Sequence, residues 1–306
     1  MATAATLQPT PAHEAQDSQP IQTTLSPSTP STKDITIPRG PVTASLTFYA
    51  PPADGAAPWN YVEQPPEGQP QRNYTEDAHR VPISDIRGRE SDFTLDSHAF
   101  ATASGIASRC ATEDFSDDAH IAQTYYPEVE RLLLAHVPGA RRVVLFDHTV
   151  RRSEPGARRA PVTRVHIDQT PRSAAMRVRL HLAPDEAEAV LKEERYRIVN
   201  VWRPLNGPVV SSPLAFAASD SVPDEDIVAV EHRYPTRSGE TAAVKFDPGH
   251  RFYYLSGMRD DERLFLQCFD NRGEKARVPH TAFVDPRTQP EWPGRESIEV
   301  RALIIG

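Results

Sequence analysis

Residues 163–170 read TRVHIDQT and set a histidine and an aspartate two places apart. On an extended chain His166 and Asp168 fall on the same side, because successive side chains alternate. An imidazole nitrogen and a carboxylate oxygen presented together are donors for a divalent first-row metal. The triplet alone is weak evidence: with 11 His and 42 Asp plus Glu in 306 residues, about one or two such triplets arise by chance, and one is found. The competing reading is a polar strand end whose Thr and Asp side chains bond locally.

A metal site built on strands needs a third donor from elsewhere. Two His and one carboxylate on one face leave positions open, the arrangement associated with non-haem Fe(II) oxygenases. His181, His232, His250 and His280 are the downstream candidates. In a jelly-roll the first two ligands lie on an early strand and the third on a late one, so several strands intervene. His280 meets this best, with at least four strand-like runs between it and Asp168. His232 leaves too few, His181 falls in a helical pattern, and His250 is the runner-up. An oxygenase that uses 2-oxoglutarate also needs a fixed cation for the far carboxylate, which suits the two-pronged Arg. PGRESIEVRALII (293–305) presents Arg295 and Ser297 on one face where the last strand begins. Asp147 and His148 read equally as a contact to the site or as a satisfied polar pair at a strand end.

These residues need strands to hold them. A chain of 306 residues can bury a substantial core. Residues 1–38 are Ser/Thr/Pro-rich and nearly free of large apolar side chains, which predicts a disordered tail and leaves residues 39–306 as a single domain. PVTASLTFYAPP (41–52) alternates as a strand, whereas ADGAAPWNYVEQPPEGQPQRNYTEDAH (53–79) reads as a long irregular segment that wraps a core or covers a site. ESDFTLDSHAFA (90–101) alternates as a strand, and SDDAHIAQTYYPEVERLLLAHV (116–137) carries the apolar spacing of a helix. ARRVVLFDHTVRR (140–152) is a strand, and Val162–Asp168 is expected to run back against it. TPRSAAMRVRLHL (170–182) and APDEAEAVLKEER (183–195) read as two helices, each with Pro in its first turn. From Tyr196 onward short strand-like runs alternate with Gly, Pro, Asp and Asn, giving a β-rich body with helices on its N-terminal side.

Composition narrows the function classes. The net charge of −8 is spread along the chain and no Lys/Arg cluster is long enough to track a phosphate backbone, which argues against a nucleic-acid partner. The arginines of GARRVVLF and VRRSEPGARRAP read as solvated charges flanking a strand, the alternative being recognition of an acidic group. Mean hydropathy is −0.53 and no apolar run approaches the roughly 18 residues a membrane span needs, so no membrane partner is expected. The first residues lack the basic and apolar segments of a secretory signal, which predicts a cytoplasmic protein. Cys110 and Cys268 are expected as free thiols.

FDHTVRR (146–152), HIDQT (166–170), RYRIVNVWRPL (195–205), SPLAFA (212–217), VPHTAFVDP (278–286) and GRESIEVRAL (294–303) resemble, in order, successive blocks of the hydroxylase/desaturase family that includes CmcJ, AsaB and the gibberellin GA4 desaturase. That family lies among the Fe(II)/2-oxoglutarate-dependent oxygenases that tailor secondary metabolites. The resemblance implies a mainly β fold with flanking helices and a double-stranded β-helix (jelly-roll, cupin-like) core. It implies His166, Asp168 and His280 as iron ligands, with 2-oxoglutarate and O2 as co-substrates. It further implies that Arg295, with Ser297, binds the distal carboxylate, as an Arg-x-Ser pair does in isopenicillin-N-synthase-like relatives. The separation of His280 from Arg295 is longer than in those relatives, which keeps Arg301 as a rival. NVWRP resembles their Asn-x-Tyr stretch, adding Asn200, Trp202 and Arg203 as cofactor-contacting candidates. The family reading gives hydroxylation or desaturation of a small-molecule substrate with release of succinate and CO2. Its alternatives are a cupin-like metal enzyme that does not use 2-oxoglutarate and a non-catalytic binding protein on the same scaffold. The substrate and the oligomeric state, a homodimer included, stay open.

Overall fold

A computed structural model describes residues 35–306 except 155, 156, 158 and 274–276. The tail expected over residues 1–38 therefore lies outside the described residues as far as residue 34. The strands are β1 (Val42–Ala50), β2 (Trp59–Tyr61), β3 (Thr75–Asp85), β4 (Phe100–Ala103), β5 (Arg142–Arg152), β6 (His166–Ile167) and β7 (Tyr196–Pro204). They continue with β8 (Leu214–Ala217), β9 (Ile227–Arg233), β10 (Ser238–Val244), β11 (Phe252–Tyr254), β12 (Arg263–Asp270), β13 (His280–Ala282) and β14 (Glu296–Ile305). One sheet has the order β1-β3-β11-β8-β13-β6-β10-β9-β2 and the other β4-β12-β7-β14-β5. The two curl over a shared core as a jelly-roll, the fold class the sequence implied.

The smaller sheet separates two apolar cores because its strands alternate. Ile198 and Trp202 of β7 and Leu303 and Ile305 of β14 enter the main core between the sheets. Val199, Val201, Ile298, Val300 and Ile304 point the other way and meet Val129, Leu132 and Leu133 of helix α3 (Tyr126–His136). Each such aliphatic side chain, fully buried, contributes roughly 1.5–3 kcal/mol. Helices α4 (Pro171–His181) and α5 (Pro184–Glu193) set Ala174, Val178, Ala187 and Val190 into the main core. Thr170 starts α4 with a capping box: its side chain accepts the Ser173 N–H at 3.1 Å while the Thr170 N–H donates to Ser173 Oγ at 2.8 Å.

Three local expectations are corrected. ESDFTLDSHAFA is mostly helical turns, a 3-10 turn at Glu90–Asp92 and a helical turn at Leu95–His98, and only its end is strand β4. A Thr94–Ser97 capping box starts the second turn and Ala99 at φ 65° ends it, so Phe93 and Leu95 are buried without alternating in a sheet. The segment 53–79 is not wholly irregular, since it contains β2 and the start of β3, whose first half is exposed and so shows no apolar alternation. Val162–Asp168 does not run against β5. Only His166–Ile167 is strand, and it pairs with β10 and β13 in the other sheet, while β5 is the edge strand of the smaller sheet, paired with β14.

Candidate metal centre and its cleft

His166 lies directly opposite His280 in the antiparallel pairing of β6 and β13, with ring centroids 4.4 Å apart. Asp168 follows two residues later, on the same side of the chain. One donor atom from each of His166, Asp168 and His280 lies within 4.8 Å of the others. His166 Nδ1 is 2.9 Å from the Arg164 carbonyl and His280 Nδ1 is 3.2 Å from the Val278 carbonyl. A carbonyl only accepts, so each Nδ1 carries the proton and each Nε2 keeps its lone pair. His280 is buried, and that burial, followed by the proximity of His166, moves its pKa below the usual histidine value and favours the neutral ring.

The opposite sheet holds the carboxylate. Asp168 Oδ2 accepts from Arg301 Nε at 2.7 Å and from Asn200 Nδ2 at 2.8 Å, which leaves Oδ1 toward the histidines, 3.4 Å from His166 Nε2. Burial by itself would raise the Asp168 pKa, but the Arg301 guanidinium bonded to it leads the opposing effects, which hold the carboxyl well below its ordinary range. Two neutral imidazole nitrogens and an ionised oxygen, all on one side, form a donor set that suits a divalent first-row metal and leaves other positions free.

Strand register explains the rest of the cleft. Across the smaller sheet Asn200, Arg301 and Asp147 form one row, Trp202, Glu299 and Thr149 the next, and Pro204, Ser297 and Arg151 the third. Thr149, Arg151, Trp202, Ser297 and Glu299 line a cleft together with Arg295, His166 and His280. Arg295 is 2% exposed, sits 5.3 Å from the Trp202 ring centre and donates to the Ser212 carbonyl at 2.6 Å. Its Nε and the Ser297 hydroxyl are buried without a hydrogen-bond partner, and it forms no ion pair among the described residues. Burial, then the nearby Arg151, pulls the guanidinium down to about 9, which leaves it cationic at neutral pH.

The sequence-predicted residues separate accordingly. Trp202, Arg295 and Ser297 line the cleft with the two histidines. Arg301, the rival cation, is committed to Asp168, Asp147 and Glu299. Asn200 touches Asp168. Arg203 requires correction: it projects to the far face of β7, bonding Ser108 Oγ and the Asp260 carbonyl beneath Phe115 and Tyr125, because residues 201 and 203 alternate with 200 and 202. His250 is buried away from the cluster on Asp226, 3.0 Å from its Oδ2. Arg151, Thr149 and Glu299 were missed. Arg151 falls among the arginines read as solvated, with recognition of an acidic group as the alternative; the signal that singles it out is its place two residues after Thr149 and four after Asp147, on one face of the strand.

A jelly-roll whose facing sheets supply paired histidines, a carboxylate and a buried cation defines a metal-oxygenase class of protein. The chain belongs to the family described as the Oxidoreductase/YMDC permease-like domain, whose model matches residues 46–305. It is 32% identical to the hydroxylase/desaturase poxK of Penicillium oxalicum over 89% of this chain and 94% of that protein. It is 35% identical to the alpha-ketoglutarate-dependent dioxygenase phiK of a fungal species, covering 87% and 97%. Its fold is similar to that of the iron and alpha-ketoglutarate-dependent endoperoxidase NvfI, with TM-score 0.78 and 28% identity over 88% of this chain and 99% of that one. The family resemblance read from the sequence agrees with these relatives.

Proposed function

We propose that His166, Asp168 and His280 hold Fe(II) and that Arg295, with Ser297, takes the distal carboxylate of 2-oxoglutarate, within a single oxygenase domain over residues 39–306. The chain is a non-haem Fe(II)/2-oxoglutarate-dependent dioxygenase that hydroxylates or desaturates a small-molecule secondary metabolite, with O2 as oxidant. The observation that carries the assignment of Arg295 is its burial beside the histidines without a carboxylate partner among the described residues. A buried, unpaired cation is costly, and a ligand carboxylate offsets that penalty.

With iron and 2-oxoglutarate bound, O2 would be the four-electron oxidant: oxidative decarboxylation of 2-oxoglutarate to succinate and CO2 would supply two electrons and oxidation of a substrate C–H bond the other two. The protein's own part is positioning. The Nδ1–H bonds to Arg164 and Val278 fix both imidazole planes. Arg301 and Asn200 keep Asp168 ionised and tie down one of its oxygens. Trp202 and Leu214 wall the cleft with apolar surface. These side chains narrow the cleft between the histidines and Arg295.

The reading includes a cytoplasmic protein without nucleic-acid or membrane partners. It is supported by the dispersed net charge of −8 and by the lack, among the described residues, of a helix long and apolar enough to cross a membrane. The test is anaerobic loading with Fe(II) and 2-oxoglutarate followed by O2. Succinate release that requires Fe(II) and is abolished in His166→Ala is expected. Undiminished release in that variant, or turnover that ignores 2-oxoglutarate, overturns the reading.

A further inference from the structure

Outside the cleft, one other group of side chains among the described residues gathers metal donors. We propose that Cys110, Asp114 and His120 form a second metal site that takes a zinc-type divalent cation. One donor atom from each lies within 4.8 Å of the others, although the residues span only a short loop, a 3-10 turn at Thr112–Ser116 and a helical turn at Asp118–His120. Thiolate sulfur, imidazole nitrogen and carboxylate oxygen are the donors zinc accepts, and three protein ligands leave a fourth position for water.

A second observation points to a ligand. His120 Nε2 is buried and has no hydrogen-bond partner among the described residues. It faces Asp114 Oδ2 at 3.7 Å, too far for a hydrogen bond. Asp114 Oδ2 accepts the Ala111 N–H at 2.8 Å, which fixes the carboxylate and leaves it lone pairs to spare. Cys110 is buried next to this carboxylate. On binding, the thiol proton passes to solvent and a metal–sulfur bond forms, with no change of oxidation state.

The surrounding structure holds the donors in place. Glu128 accepts from Ser108 Oγ at 2.7 Å and from the Arg109 N–H at 2.8 Å, anchoring the loop before Cys110. Asp117 accepts the N–H groups of Ala119 and His120, setting the direction of the imidazole. Phe115 is buried with its ring centre 5.1 Å from that of Tyr125. Between the outer ligands, Phe115, Ser116 and Asp118 line a cavity of about 500 Å³ that also meets Thr149, a residue of the cleft. A cation bridging Cys110 to His120 clamps that wall.

The test uses the full chain stripped with EDTA and titrated with Co(II) alone. Two Co(II) per chain and a near-ultraviolet thiolate-to-cobalt charge-transfer band are expected. The His166–Asp168–His280 cluster has no thiolate, so the band reports this site independently of the oxygenase reading. The band should vanish in Cys110→Ala and persist in Cys268→Ala and His166→Ala. In His120→Ala, a partly exposed position that leaves folding intact should Cys110→Ala fail to fold, affinity should fall at least about tenfold. Zn(II) should raise the melting temperature of His166→Ala. No thiolate-to-cobalt band in the wild type, a band that survives in Cys110→Ala, or unchanged affinity in His120→Ala overturns the proposal.

Discussion

Replacing Arg295 with Leu keeps an apolar stem against Trp202 and removes a buried cleft cation that has, among the described residues, neither a carboxylate partner nor a bonded Nε. Truncating one partner of a buried, hydrogen-bonded charge pair costs roughly 2–5 kcal/mol. At 1.4 kcal/mol per decade that is about 30- to 4,000-fold in Kd for 2-oxoglutarate. The assay is calorimetric titration of Mn(II)-loaded protein without O2, using 2-oxoglutarate and, in parallel, 2-oxobutyrate, which keeps the keto-acid end and lacks the distal carboxylate. The wild type should prefer 2-oxoglutarate by about the factor lost in Arg295→Leu, and in that variant the preference should collapse. Arg295→Lys, with a point charge in place of the fork, should fall between. Apolar replacement of a buried unpaired charge is neutral or stabilising in the absence of ligand, so the melting temperature of ligand-free Arg295→Leu should not drop. A variant that still discriminates the two acids refutes the assignment and transfers it to Arg151, the other arginine of the cleft.

Arg301→Gln should weaken Mn(II) binding about 10- to 100-fold, as loss of a group orienting a metal ligand does. The Asp168 carboxyl is depressed in the wild type, so its contribution is present above the ordinary value of 3.8 and is lost only as pH falls through the lower folded value. In Arg301→Gln burial acts largely unopposed, and Mn(II) binding should fail at a higher pH than in the wild type; superimposable pH–affinity curves contradict this. Burial, then the charge of Arg164, pushes His232 down to about 4, so between its ordinary value of 6.5 and about 4 the unfolded chain binds the extra proton. Stability should therefore decline as pH falls through that window, by up to about 3 kcal/mol at 1.36 kcal/mol per unit, and urea melts of His232→Gln should show a shallower decline. Leu133→Ala, in the core between α3 and the smaller sheet, should lower urea stability by about 2–5 kcal/mol; a loss under 1 kcal/mol speaks against that packing.

What the sequence disclosed depended on how local the signal was. The long strands β5, β7, β12 and β14 show as apolar-rich runs between turn residues, and the helices α3, α4 and α5 each carry a Pro in the first turn, so they were legible. The pairing of β6 was not, because two residues carry no periodicity and the partners β10 and β13 lie far along the chain. Trp202 and Arg203 are neighbours in sequence and lie on opposite faces of one strand, which the motif NVWRP alone does not resolve. Arg301 shows the same limit. Its guanidinium was a plausible carboxylate binder, but the carboxylate it binds is Asp168, 133 residues away.

The charges around the cleft divide into two ends. At one end Asp168 is ionised between two histidines whose Nδ1–H groups already serve backbone carbonyls, so that end offers lone pairs and negative charge. At the other, Arg295 and Arg151 offer positive charge without an ion-pair partner among the described residues. Arg301 lies between and pairs with Asp168, Asp147 and Glu299, one guanidinium against three carboxylates, so the Asp168 end keeps net negative charge. Such a field suits neither a lone cation nor a lone anion filling the whole cleft. It suits a dication at the Asp168 end joined to a dianion whose far carboxylate reaches Arg295. Two polar atoms left unbonded, Arg295 Nε and Ser297 Oγ, fall at the Arg295 end, and Asn200 Oδ1 is a third beside Asp168. Because the histidines come from one sheet and Arg301, Asn200 and Ser297 from the other, the two ends exist only once the sheets have closed on each other.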